Sequence, residues 1–286
     1  MNKHNYVSAN WKEIYAYLKS KGYSLRIISN AIGSNFKNHV YSSRNMNMSS
    51  FQKLQRITDY QIDFRKISPQ DRYKSYTFKK NRATAEAIGI VLGDGHLGEY
   101  AVVISLNSLK ERKYIVYVNH HLEKTFLHKP SNSQAKDSNT HRIVFTRKGI
   151  VDELLNLGLQ IGNKVKNQVD VPHWIKENRD LSTSCMKGLF DTDGSIYFHI
   201  RRDTRTKNIE LNFSNASRSL LRFVTDFCVR EGISPKGNFR KNGTELFIYS
   251  RQDVIKFAKL IQSEKIKNFM EQHNLDWDSF EKTLRY

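Results

Sequence analysis

Two short segments of the chain end in the same pair of residues, Asp-Gly, and both could support metal-dependent chemistry. One apolar run ends at Asp94-Gly95, and a second ends at Asp193-Gly194, 99 residues further on. Two carboxylates held close together on a basic surface can hold divalent metal ions against the phosphates of a nucleic acid. A single Asp-Gly pair after an apolar run usually marks only a turn or a helix end. Two copies in matching context favour a shared metal centre.

Small residues recur four apart within both runs. Gly89 and Gly93 hold these positions in the first run, and Gly188 and Thr192 hold them in the second. Small residues at this spacing allow two helix backbones to approach closely. The pattern therefore predicts a central helix pair with the two aspartates side by side at one end. We also expect the glycine after each aspartate to take the left-handed conformation that ends many helices.

The two runs open a longer internal repeat. Alternating segments that favour strands follow each run, over residues 100–106 in the first copy and 196–201 in the second. Later strand-like and helical segments are repeated in the same order. The sequence therefore predicts an α+β fold with two similar halves, residues 83–178 and 179–286. A two-fold repeat of this kind suits roughly palindromic duplex DNA.

The composition indicates a polyanionic partner. Lys and Arg total 47 against 28 Asp and Glu, a net charge of +19, and such a field attracts nucleic acid. A membrane is disfavoured, because no stretch approaches the roughly 18 apolar residues of a spanning helix. The start of the chain lacks a signal-peptide pattern, so we expect an intracellular protein of the cytoplasm or nucleoid that is not secreted. Cys185 and Cys228 are too few for a zinc cluster and are expected in the core.

The first third of the chain is a basic appendage. Residues 1–82 hold 16 Lys and Arg against 4 acids. Residues 1–66 are predicted to form a small all-α domain with four short helices between Trp11 and Thr58. The stretch from Gly22 to Gly33 resembles the first half of a phage-repressor-type helix-turn-helix, which implies that the next helix enters the major groove. We expect residues 67–82 to be a basic linker that lies on phosphates. The residues predicted to be exposed on the groove-reading helix are Asn35, Lys37, Asn38 and His39.

The doubled motif, residues 87–95 and 186–194, resembles that of the LAGLIDADG homing endonucleases in their single-chain, two-motif form. The resemblance covers roughly residues 83–275. It implies two αββαββα halves, whose curved antiparallel sheets form a saddle over the DNA major groove. A protein of this kind hydrolyses one phosphodiester in each strand of a long, pseudo-palindromic duplex site, leaves short 3′ overhangs and acts in intron homing. Two halves in one chain imply a monomer.

The resemblance also assigns the metal site. The last acid of each motif, Asp94 and Asp193, would bind Mg2+ (or Mn2+), and the residues immediately before them, Gly93 and Thr192, are assigned to the same metal site. An earlier acid of the family pattern stands as Asp191 in the second copy. Leu92 replaces it in the first copy, at a position that catalysis in the family does not require.

The family carries a basic residue in each active site. Lys164 and Lys265 are the candidates, since they occur in matching segments and follow the two motif aspartates by 70 and 72 residues. Lys166 and Lys267 remain open as alternatives, because each lies only two residues further along.

A groove-reading surface is predicted from alternation along the second-half strands. Tyr197, His199 and Arg201 share one face of residues 196–201, opposite an apolar face. Strands of this kind fit the major groove, where arginine reads guanine and asparagine reads adenine. Further candidates for DNA contacts are Asn208, Asn212, Arg142, Arg240 and Arg251.

Two other functions would use the same basic surface. One is a catalytically silent DNA-binding regulator on the same fold, and the other is a maturase that binds its host intron RNA. An HNH-type nuclease centre at His120-His121 is disfavoured, because no second cluster of His, Asn or Cys accompanies this pair.

Overall fold

The computed structural model describes residues 6–42, 44–58, 62, 64–67, 75–135, 138–200, 207–237 and 244–283. The chain forms two compact units, Met1–Lys74 and Ser75–Tyr286. Among the described residues, no helix combines the length and the apolar character that crossing a membrane requires.

The first unit contains the four predicted helices and also a small sheet. Its elements are β1 (Tyr6–Ala9), α1 (Trp11–Ser20), α2 (Leu25–Ile32), α3 (Phe36–Ser42), β2 (Met46–Asn47), α4 (Met48–Arg56) and β3 (Phe64–Ile67). The three strands form an antiparallel sheet in the order β2-β1-β3. The prediction of an all-α domain was therefore wrong, because strands of two to four residues are too short to show a period in the sequence.

The first half of the second unit follows the predicted order of elements. It contains α5 (Arg82–Gly93), β4 (Gly95–Leu97), β5 (Val102–Asn107), α6 (Arg112–Phe126), β6 (Ser131–Gln134), β7 (Thr140–Phe145) and α7 (Lys148–Asn156). Two one-turn helices, α8 (Lys164–Asn167) and α9 (His173–Lys176), then lead to the second half.

The second half repeats this order. It contains α10 (Arg179–Asp193), β8 (Gly194–Ile200), β9 (Lys207–Ser214), α11 (Arg218–Arg230), β10 (Lys236–Gly237), β11 (Glu245–Ile248) and α12 (Arg251–Ile261), followed by α13 (Glu264–Gln272) and α14 (Trp277–Thr283). The two sheets have matching antiparallel topologies, β4-β5-β7-β6 and β8-β9-β11-β10. The predicted pair of αββαββα halves is confirmed.

Each sheet buries one face. The inward residues alternate along the strands, as the pleat requires: Val102, Ile104 and Leu106 on β5, and Ile209, Leu211 and Phe213 on β9. All of these residues belong to one hydrophobic core, which also includes the helices α5 and α10 and both cysteines. The opposite faces of β5 and β9 include Ser105, Asn107, Asn208 and Asn212, which are exposed or partly exposed.

The two motif helices, α5 and α10, cross at very short range. A Cβ atom at Gly188 would collide with the Glu86 carbonyl and lie 2.9 Å from the Ile90 amide nitrogen. A Cβ at Gly89 would collide with the Cys185 carbonyl in the same way. The predicted close approach is therefore present, and it depends on residues without a side chain at the crossing.

The glycines after the aspartates have a different role from the predicted one. Neither is in the left-handed region, since Gly95 begins β4 and Gly194 begins β8 with φ −86° and ψ 161°. A Cβ at Gly95 would lie 2.6 Å from the Cα of Val91, and one at Gly194 would lie 2.5 Å from the Phe190 carbonyl. Helix passes directly into strand at both positions, and a Cβ atom there would collide with the preceding helical turn. Glycine is therefore favoured by the lack of space and not by its freedom to adopt a positive φ.

Part of the predicted linker belongs to the core of the second unit. Tyr76 and Phe78 are buried, while their neighbours Ser75 and Thr77 are exposed. The Phe78 ring stacks on Phe126 with 5.2 Å between centroids. For these residues the prediction of a segment lying on phosphates was wrong, because alternate aromatic residues in an extended segment bury one face.

We predict that Gly188→Ala lowers the free energy of unfolding by about 3 kcal/mol or more, because the added methyl group has no room at the helix crossing. Gly98→Ala is the control, since its Cβ would lie 3.5 Å from the nearest atom, and it should cost less than about 1 kcal/mol. Urea denaturation of both variants measures the difference. Equal stabilities would contradict the close crossing.

Candidate metal centre and nucleic-acid interface

The motif aspartates lie together at one end of the crossed helices. Asp94 is the C-cap of α5 and Asp193 is the last residue of α10, and both are partly buried. Burial and the neighbouring Asp193 carboxylate raise the pKa of Asp94 to about 6. Burial also raises the pKa of Asp193. The helix pair therefore holds two carboxylates close together where little water reaches them, an arrangement that favours binding of a cation.

A lysine caps the end of each motif helix. Lys164 Nζ donates to the carbonyls of Leu92, at 2.9 Å, and of Gly93. Lys265 Nζ donates to the carbonyls of Thr192, at 3.1 Å, and of Gly194, at 2.5 Å. A cation at a helix C-terminus is stabilised by the helix dipole.

The same lysines face the carboxylates. Burial lowers the pKa of Lys164 and of Lys265. The attraction of Asp193 and Asp94 opposes this change at Lys164, and that of Asp191, Glu111 and the two motif aspartates opposes it at Lys265. Lys166 is exposed, and Lys267 is an exposed residue that pairs with Glu264 at 2.7 Å. Of each Lys-x-Lys pair, the first lysine is thus the one brought to the aspartates.

The Asp191 side chain is hydrogen-bonded to backbone amides. Its carboxylate accepts hydrogen bonds from the amides of Glu264, at 3.1 Å, and Lys265, at 2.8 Å, at the first turn of α13. In the first half, the side chain of Asn163 accepts from the first amides of α8. Leu92 can therefore replace the earlier motif acid without leaving that helix uncapped.

One residue beside the centre was not predicted. Asn215 Nδ2 donates to Asp193 Oδ2 at 2.6 Å, while Asn215 Oδ1 accepts from the Ser217 amide at 2.6 Å. In the strand register Gly95 pairs with Ile104 and Gly194 pairs with Phe213. The position two residues beyond the partner is thus Asn215 in the second half and buried Leu106 in the first. Only a comparison of register between the halves could have singled out Asn215.

An acid on the Asp94 side was also missed. Glu111 lies close enough for its charge to raise the pKa of Asp94 and to oppose the lowered pKa of Lys265. Its Oε2 accepts from the Asn107 amide at 2.6 Å. In the sequence Glu111 is one acid in a polar turn, and nothing in its spacing marks it.

The residues present suit a hard divalent cation. Within the described ranges, no group of three or more His, Cys, Asp or Glu side chains is placed to hold a metal. Mg2+ is commonly bound by one or two carboxylates together with substrate phosphates, and an aspartate pair without sulfur or imidazole fits that pattern. The carbonyls of the other two predicted metal-site residues, Gly93 and Thr192, accept hydrogen bonds from the lysines.

Four predicted DNA-contact residues share the polar face of the second sheet. His199 pairs with Asn208, and Tyr197 and Asn212 lie on the same face. The Tyr197 hydroxyl donates to Glu210 at 3.4 Å, and His199 Nδ1 lies 3.8 Å from the same carboxylate. The central Glu210 thus orders the neighbouring side chains.

The predicted arginines are divided among several places. Arg142 lies on the exposed face of β7, opposite Ser105 and Ser133. Arg251 starts α12, and its Nε is buried without a hydrogen-bond partner among the described residues. Arg201 and Arg240 lie outside the described residues.

In the first unit, Lys37 and Asn38 lie on α3, and Asn35 lies in the turn before it. Lys37 and Asn35 are exposed and Asn38 is half-buried. His39 was predicted to be exposed but is 9% exposed. Tyr41 lies on the exposed side instead, at 61% exposure.

Residues 180–262 match the family model described as a LAGLIDADG-like domain. A curated relative, the replication factor C small subunit of Methanocaldococcus jannaschii, is 27% identical over 196 residues, which cover 61% of this chain and 10% of that protein. The chain thus spans about a tenth of the length of this relative.

Two solved structures also resemble the chain. The homing endonuclease I-DmoI in complex with DNA and Mn is 19% identical, with a TM-score of 0.45, over 65% of this chain and 99% of that chain. The homing endonuclease I-WcaI bound to its DNA recognition sequence is 16% identical, with a TM-score of 0.47, over 73% of this chain and 96% of that chain.

The matched segment, residues 180–262, contains nearly all of the second αββαββα half. The first half repeats its element order, its sheet topology and its motif helix. The second half is thus similar to a LAGLIDADG-like domain, in agreement with the resemblance of the doubled motif.

We predict that Asp94→Asn stabilises the metal-free protein at pH 7 and not at pH 4. With a pKa of about 6 against an ordinary 3.8, folded Asp94 binds more protons than unfolded Asp94 between these values, so stability falls as pH rises through this window. Above pH 6 the uncharged asparagine should raise the free energy of unfolding by on the order of 1–3 kcal/mol. Urea denaturation in EDTA across this pH range measures it, and an equal gain at pH 4 would contradict the stated cause.

We also predict that Asn215→Ala raises the pKa of Asp193, because a hydrogen bond to the carboxylate favours its charged form. Carbon-detected NMR titration of the aspartate carboxyl groups measures the change. Asn107→Ala is the control, since Asn107 Oδ1 accepts only from the turn amides of Leu109 and Lys110 among the described residues. An unchanged pKa of Asp193 in the Asn215→Ala variant would show that the hydrogen bond is absent in solution.

Proposed function

We propose that the protein is a sequence-specific double-strand DNA endonuclease that uses Mg2+ or Mn2+. The observation that carries this proposal is the aspartate pair, one carboxylate from each half, with a lysine at the end of each motif helix. A basic chain of net charge +19 supplies the field that draws the DNA phosphates to this centre.

The two-fold arrangement supports one cut in each strand. Each half contributes one motif helix, one aspartate, one lysine and one sheet, and the strands of duplex DNA are related by the same kind of symmetry. Asp94 and Asp193 would hold the cation, which supplies a Lewis acid for phosphodiester hydrolysis when it is bound. Short 3′ overhangs and action as a monomer belong to the same proposal.

The chain's own residues would act through charge and position. Lys164 and Lys265 hold positive charge beside the carboxylates, where it would stabilise negative charge that develops on a phosphate in the transition state. Asn215 would orient Asp193 from behind, as neighbours of metal-binding carboxylates commonly do. The helix crossing keeps both carboxylates in place without rearrangement, which lowers the cost of reaching the reactive geometry.

The polar faces of the two sheets would read the major groove. Strand ribbons fit this groove, and asparagine and arginine side chains can form paired hydrogen bonds to base edges. On this surface Tyr197, His199, Asn208 and Asn212 would contact bases or phosphates from one half, and Arg142 would do so from the other. The remaining proposed contacts are Arg251, Arg201 and Arg240. The last two lie outside the described residues.

We expect that incubation with a randomised duplex DNA library and Mg2+ yields double-strand cuts at one long site. Asp94→Asn and Asp193→Asn should each abolish both cuts, because the two carboxylates form one centre. Lys164→Met and Lys265→Met should slow cleavage by about a hundredfold, the order of magnitude for loss of one group that stabilises transition-state charge. Sequencing of cleaved ends and single-turnover rates measure these effects.

Matched lysines provide the control. Lys166→Met and Lys267→Met remove the same charge two residues away and should change the rate by less than about threefold. Specific DNA binding without cutting in any divalent metal would replace the proposal with a silent regulator. Specific binding of structured intron RNA without DNA cleavage would replace it with a maturase.

A further inference from the structure

The first unit contains two helices joined in a way that suits groove binding. α2 ends at Gly33, which takes the left-handed conformation with φ 68°, and α3 begins at Phe36 after a three-residue turn. Ile28 and Ile32 of α2 pack in the same core as Phe36 and Val40 of α3. Two helices joined by a short turn that contains glycine form the helix-turn-helix arrangement.

Hydrogen bonds hold α3 at a defined angle to α2. Ser29 Oγ donates to the Leu25 carbonyl at 2.7 Å and accepts from the Phe36 amide at 2.9 Å, so one α2 side chain caps the start of α3. The first amides of a helix have no partner within the helix, and this hydrogen bond supplies one. The start of α3 is thus tied directly to α2.

The buried ring of His39 holds the other end of α3. Its Nδ1 donates to the Arg44 carbonyl at 2.8 Å, so this nitrogen carries the proton. Nε2 lies 3.5 Å from the Ser34 hydroxyl, within hydrogen-bond distance. The turn before α3 and the segment after it are therefore joined through one side chain.

The outer surface of α3 offers hydrogen-bonding and aromatic groups. Lys37 and Tyr41 are exposed, Asn38 is half-buried, and Asn35 is exposed in the preceding turn. α2 contributes the exposed side chain of Ile27 at 51% exposure. Asparagine and lysine are side chains that can identify bases at their edges, and an apolar side chain can contact a thymine methyl group.

The first unit is predominantly basic, with 13 Lys and Arg against four acids over Met1–Lys74. Residues 6–58 carry eight Lys and Arg and a single acid, Glu13. Three of the exposed cations are placed close to α3 in the chain or the fold, since Arg26 lies on α2, Arg44 follows α3, and Lys53 Nζ lies 3.6 Å from the position of a Cβ at Gly33. Such cations suit the phosphates on both sides of a groove.

We infer that the first unit is a second, separate reader of duplex DNA, with α3 in the major groove and α2 across the backbone. The two-helix geometry favours a groove, whereas a lipid surface or a flexible RNA would need only the charge. The inference does not depend on cleavage by the second unit. It predicts that the full chain recognises a short block of base pairs in addition to the site read by the two sheets.

The test is selection of bound sequences from a randomised duplex DNA library by the full chain in EDTA, which would prevent the proposed metal-dependent hydrolysis. The wild type should select two separate blocks. Lys37→Ala with Asn38→Ala should reduce base preference in the smaller block by about tenfold, the effect of losing one good base contact. The larger block should remain.

Lys12→Ala with Lys19→Ala is the matched control, because both lysines are exposed on α1. This variant should keep both blocks and lower affinity only through its charge. Asn38→Ala alone should relax one base-pair position, whereas damage to the fold of the unit would erase the whole block.

Three outcomes would overturn the inference. The first is selection of a single block that the α3 variants leave unchanged. The second is tighter binding of single-stranded RNA than of duplex DNA through the same α3 residues. The third is Lys37-dependent binding of phosphatidylglycerol vesicles that exceeds binding of duplex DNA. None of these outcomes bears on whether the second unit cuts DNA in Mg2+.

Discussion

The second unit depends on the close contact between two helix backbones. Gly89 and Gly188 allow α5 and α10 to approach so closely that a single methyl group at either position would meet a carbonyl oxygen of the other helix. The crossing brings the ends of the helices together, and the ends carry Asp94 and Asp193. A wider crossing would separate the carboxylates and leave two unrelated acids.

The crossing also sets the electrostatics of the centre. Burial raises the pKa of both motif aspartates and lowers that of Lys164 and Lys265, so every charge here is held at a cost in free energy. Natural proteins tolerate such costs where a ligand removes them. In the proposed function, a divalent cation held by Asp94 and Asp193 would be such a ligand.

The sequence was sufficient to predict the parts that repeat. The doubled apolar run, the alternating strands and the Lys-x-Lys segments each occur twice, and repetition separates a pattern from chance. What could not be predicted depends on three-dimensional neighbours. Asn215 approaches Asp193 only through strand register, and Glu111 approaches Asp94 from an unremarkable turn. The short strands of the first unit and the buried Tyr76 lacked a period long enough to recognise.

The two halves are similar but not identical, and the difference lies beside the two motif aspartates. Asp193 receives a hydrogen bond from Asn215, whereas Leu106 holds the matching register position in the first half and Glu111 approaches Asp94. We nevertheless propose that both aspartates form one shared centre. Anomalous diffraction from crystals of the protein with a selected DNA duplex and Mn2+ would locate the bound metal. We expect manganese between the carboxylates of Asp94 and Asp193. Manganese bound elsewhere, or at only one isolated aspartate, would contradict it.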